Sequence, residues 1–168
     1  VKLILCISLL LTTVAFQGQS GAPDIPDEFI LESEEDYRGY EALAKKGLAW
    51  LLDTPLDEFV EERNEVNAFA LIWMSGCPYL KLDITSDVMP FLDTHPDLIY
   101  PFMHAMALYK LNHGKCEDAI QLHAEGLRGV AKVIKKSDIK KSKEIRTLLK
   151  ADKKGRLIQH VEGLMRGR

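Results

Sequence analysis

Cysteine is scarce in this chain: there are three, and no Cys-x-x-Cys pair stands among them. That excludes a disulfide-dense scaffold and a cysteine-clasped zinc site. Tryptophan occurs twice, and no apolar run after Phe16 is long enough to cross a bilayer. Gly-x-Ser-x-Gly, His-Glu-x-x-His, a phosphate loop, a dinucleotide fingerprint and a haem attachment motif are all missing. No catalytic, cofactor-binding or metal-binding residue is therefore assigned, and no cofactor is expected.

What is present begins with Lys2 and an apolar stretch from Leu3 to Phe16, followed by Gly18-Gln19-Ser20. A positive start, a short apolar core and small residues near its end are the parts of a secretory signal peptide. Residues 1–20 are expected to be that signal, with cleavage after Ser20 and no membrane anchor left behind. Cys6 precedes the apolar core instead of following it, so lipidation there is not expected. The protein is thus expected to be periplasmic or secreted. Cys77 and Cys116 remain, an even pair in an oxidising compartment, and the favoured reading is one disulfide. Closing that loop stabilises by ~4 kcal/mol in the chain-entropy model. Two buried thiols or a metal site are the alternatives.

From Gly21 to Arg168 the length suits one domain, and helix signals dominate it. Ser33 and Asp36 have capping-box spacing, and Tyr37, Tyr40, Ala44, Leu48 and Leu51 then share one helical face. Thr54-Pro55-Leu56-Asp57 reads as the start of a second helix running to Ser75, with Gly76 and Pro78 as its stop. Ala68 to Met74 is apolar on every side, which predicts a central, fully buried helix. Tyr79 to Ile84 alternates and predicts a short extended piece without a strand partner. Helices are further expected near 87–93, from Pro96 to Asn112 with a kink at Pro101, from Cys116 to Lys136, and from Lys143 to Met165, broken around Gly155. The fold class is all-α: one compact domain of five to seven helices.

Two resemblances add to this. Ala107 to Leu127 resembles a tetratricopeptide helical pair through Gly114, Ala119, Ile120, Gly126 and Leu127. No copy stands a repeat length away, so an ordinary helical hairpin is expected. Trp50-Leu51-Leu52-Asp53-Thr54-Pro55, Arg63, Asn67-Ala68-Phe69 and Trp73-Met74-Ser75-Gly76-Cys77-Pro78 resemble a group of small exported bacterial proteins without an assigned activity. That resemblance implies an exported helical protein and transfers no site.

Charge is distributed unevenly. Gly21 to Tyr109 carries 18 acidic and 5 basic residues, whereas Lys110 to Arg168 carries 16 basic and 7 acidic ones. Lys132, Lys135, Lys136, Lys140, Lys141 and Lys143 form a candidate patch for an anionic partner. Against that stands the simpler expectation that the two halves face each other within one domain. Glu58, Glu61, Glu62 and Glu65 read as a solvated helix face, and the five histidines as ordinary surface or core residues. The expected function is a non-enzymatic binding or structural protein contacting an unknown protein or envelope component, and not nucleic acid. An envelope-acting enzyme with an unrecognised site is the alternative.

Overall fold

A computed structural model describes residues 20–114 and 118–167. They form six α-helices: α1 (Glu34–Asp53), α2 (Val60–Gly76), α3 (Ile99–His113), α4 (Ala119–Lys136), α5 (Lys143–Lys153) and α6 (Leu157–Arg166). Short 3-10 turns at Ser86–Val88 and Pro96–Leu98 lie between α2 and α3, and no strand occurs among the described residues. The protein is an all-α bundle. Residues 79–85 are neither helix nor strand: Leu80 is buried, Leu82 half-buried and Ile84 exposed.

Local chemistry fixes the ends of α1. Ser33 accepts from the Asp36 amide while the Asp36 carboxylate accepts from the Ser33 amide at 2.8 Å, so two otherwise orphaned donors are satisfied. At the other end the Arg63 guanidinium reaches back from α2, and its Nη1 donates to the carbonyls of Leu51 (3.1 Å) and Thr54 (2.8 Å). A cation at a helix C-terminus also meets the favourable end of the helix dipole.

The centre of the bundle is the α3–α4 hairpin, which packs on α1 from one side and on α6 from the other. Small residues allow that approach. A Cβ on Gly129 would collide with the Ala105 methyl and stand 2.8 Å from the Pro101 carbonyl oxygen, while one on Gly126 would meet the Phe102 ring. Leu122, Leu127, Val130 and Ile134 of α4 then bury with Phe102, Met106, Ile145, Leu157 and Val161. A second apolar cluster joins α1 and α2 around Phe69 and Trp73. The extended segment from Ser20 onward lies over it, burying Ile25 and setting Phe29 edge-on to Phe69.

Four expectations are corrected. The second helix starts at Val60 and not at Pro55, because Phe59 takes a left-handed backbone (φ 50°) that no helix can include. It is not the buried centre either: Ala68 is exposed and Ile72 is 54% exposed, while Phe69, Ala70, Trp73 and Met74 face inward. The segment 87–93 makes a 3-10 turn followed by hydrogen-bonded turns instead of a helix. Pro101 sits in the first turn of α3, where an amide has no intrahelical acceptor to lose, so the reason for a kink is gone.

Candidate functional site

The predicted lysine patch divides in two. Lys132 and Lys136 both reach the Asp53 carboxylate at the end of α1, at 2.8 and 2.9 Å, and Lys136 also donates to the Asp53 carbonyl. Hydrogen bonding from Lys132 leads the effects that hold the Asp53 carboxyl below its usual range. Lys135 pairs with Asp152 of α5 at 2.5 Å. These three lysines are occupied inside the fold. Among the described residues, the ion pairs joining the acidic and basic halves are those of Asp53. Glu34 pairs locally with Arg38, and Asp36 caps α1, so the amino-terminal acids do not meet the lysines.

Lys140, Lys141 and Lys143 make no ion pair among the described residues, and they continue into a larger basic surface. Along α5 the residues Lys143, Arg146, Lys150 and Lys153 follow at helical spacing on its outer face, opposite the buried Ile145 and Leu148. Lys154 and Arg156 extend the charge past the C-terminal end. All are exposed, and none is ion-paired among the described residues. A shallow groove of about 280 Å³ between α5 and α6 is lined by Lys150, Lys154 and Arg156 with Thr147, Gln159 and His160. Burial lowers the His160 pKa. Counting lysines in sequence stops short of this surface, whereas the phase of Arg146, Lys150 and Lys153 against Ile145 and Leu148 carries the missing signal.

A second polar feature was not legible in advance. Arg63, Asn64 and Asn67 of α2, Leu56 of the preceding loop, and Asp97 and Tyr100 from the start of α3 line a cleft of about 310 Å³. Arg63 has no carboxylate partner among the described residues, and desolvation lowers its pKa. His104 lies one helical turn beyond Tyr100, stacked on its ring and only 1% exposed, with Nε2 unpartnered among the described residues. A third depression, about 230 Å³, runs between α3 and α4 over Leu52, Ala105, Leu108 and Gly129.

The other candidates are dispersed. His123 is buried, stacks on Phe102 and places Nε2 2.9 Å from the Asp83 carbonyl oxygen. His113 is exposed and stacks on Tyr109, and His95 contacts the Thr94 hydroxyl. Glu58, Glu61 and Glu65 are exposed and Glu62 half-buried. No group of His, Cys, Asp and Glu among the described residues is arranged to hold a metal. Cys77 is buried, and burial raises its thiol pKa. Cys116, its expected partner, lies outside the described residues, as do residues 1–19 of the expected signal. No helix among the described residues is long and apolar enough to cross a membrane. Comparison with protein-family models, with curated proteins and with solved structures finds no match.

Proposed function

We propose that this chain is an exported, non-enzymatic helical binding protein whose α5 face engages anionic lipid headgroups. One observation carries the reading: Lys143, Arg146, Lys150 and Lys153 share the outer face of α5 and form no ion pair among the described residues, Glu144 being the nearby acid that Lys143 and Arg146 feel, and Lys140, Lys141, Lys154 and Arg156 flank them. Nothing in the bundle's own stability asks for such a concentration, since like charges on neighbouring turns repel. A convex, single-sign helix face suits a flat anionic surface, where each basic residue near the headgroups contributes about 1 kcal/mol.

Vesicle co-sedimentation tests this. The protein is expected to bind phosphatidylglycerol-containing vesicles at low salt and to release them at about 0.5 M salt, where screening reaches only a few Å. Changing Lys143, Arg146, Lys150 and Lys153 together to Glu should weaken binding by at least about tenfold. Binding to neutral vesicles of equal strength, or salt-sensitive binding to a soluble polyanion with none to vesicles, would overturn the lipid assignment.

Export is supported by the Leu3–Phe16 run and Gly18-x-Ser20. Disulfide formation is supported by the even pair Cys77 and Cys116 that export would place in an oxidising compartment. Mass spectrometry of protein from its native host should find Gly21 as the first residue, and non-reducing peptide mapping should link Cys77 to Cys116. An intact Leu3–Phe16 segment in the mature protein sinks the first, and free alkylation of both thiols in the folded protein sinks the second.

A further inference from the structure

The cleft beside Arg63 shows what a ligand there would need. Nη1 is tied to two carbonyls at the end of α1, which fixes the guanidinium in place. The other edge, formed by Nε and Nη2, makes no hydrogen bond to the described residues. That side-on edge is a fork that takes a carboxylate through two parallel bonds, and a guanidinium already held in position loses little freedom in doing so. Asn67 stands one turn further along the same face of α2, half-buried, and its side-chain amide likewise makes no hydrogen bond to the described residues. Across the cleft, Asp97 supplies a carboxylate without an ion-pair partner among the described residues, and Tyr100 an aromatic wall ending in a hydroxyl.

One wall therefore offers an immobilised cation with an amide, and the other an anion with a phenol. We propose that the cleft binds a small zwitterion of the α-amino-acid class, its carboxylate on the Arg63 edge and its ammonium on Asp97. The volume, about 310 Å³, lies at the small end of ligand pockets and suits a molecule of that size. A phosphate or other polyanion fits less well, because Asp97 shares the cleft and Glu61 and Glu62 stand on the same helix. This site is independent of the α5 surface, and either can fail without the other.

Titration calorimetry with the common α-amino acids, acetate and ethylammonium tests the assignment on the whole protein. At least one amino acid is expected to bind, with acetate and ethylammonium each weaker by about tenfold or more, since each lacks one of the two charges. Arg63 also ties down α1, so its removal risks the fold. Asp97→Asn, at an exposed position, is the cleaner variant. It should weaken the amino acid by about tenfold while leaving the melting temperature and acetate binding unchanged. Absence of heat with every amino acid overturns the proposal, as does acetate binding as tight as the amino acid, or full affinity in Asp97→Asn.

Discussion

Lowering the pH from 7 to 5 is expected to remove about 2 kcal/mol of folding stability, and His104→Leu is expected to abolish most of that loss. His104 is 1% exposed, and burial, assisted by the Arg63 charge, lowers its pKa from 6.5 to about 3. The folded protein thus keeps the imidazole neutral where the unfolded chain already binds a proton. Its contribution is fully present above pH 6.5 and falls by about 1.4 kcal/mol per unit as the pH drops toward 3. The partly buried His160, also lowered by burial, acts in the same direction. Asp53 and Glu41, held low by their lysine partners, add their loss only in the acid carboxylate range. Urea unfolding at pH 7, 6 and 5 measures the slope. Leucine leaves no polar atom unpaired at a site where Nε2 has no partner, so the comparison is of slopes and not of absolute stability. An unchanged slope in His104→Leu would falsify this account.

Trp73→Ala should cost about 3–5 kcal/mol, a large part of the 5–15 kcal/mol that holds a typical domain together. Trp73 is fully buried at the centre of the α1–α2 cluster, edge-on to Tyr79 and tilted against Tyr37. Its indole N–H donates to the Tyr37 carbonyl at 3.0 Å, so truncation removes a hydrogen bond as well as the largest side chain in that cluster. Trp73→Phe keeps most of the apolar area and should cost less. Urea midpoints of both variants measure the effects. A loss below about 1 kcal/mol for the alanine variant shows that the α1–α2 cluster collapses around the gap or adds little to the cooperative unit.

Helix existence was readable from apolar spacing because each helix needs one buried stripe. Ala44, Leu48 and Leu51 in α1 and His123 to Ile134 in α4 bury as their phase requires, while Tyr37 and Tyr40 are half-buried. The character of α2 was not readable. Its run from Ala68 to Met74 is apolar all round, yet with α1 and the amino-terminal segment on one flank Ile72 is left in solvent. Pro55 looked like a first helical residue, and only the left-handed Phe59 shows where the chain turns. The charge expectation lacked a partner: Lys132 and Lys136, one turn apart, both find Asp53 from a helix far away in sequence, a pairing that no local pattern names. The Arg63 cleft brings Asn64 and Asn67 to Asp97 and Tyr100, 30 or more residues on, and no local pattern encodes that meeting.

The indole N–H of Trp50 donates to the Ser20 carbonyl at 2.8 Å, and the Ser20 hydroxyl accepts from the Ala22 amide. Cleavage after Ser20, as proposed, takes that carbonyl away and leaves a charged amino group on Gly21 beside a partly exposed indole. Processing would then remove one contact of the fold, leaving the Trp50 indole N–H without its acceptor and beside a new positive charge. Trp50 becomes a built-in optical reporter of maturation, its emission distinguishing precursor from product in the same sample.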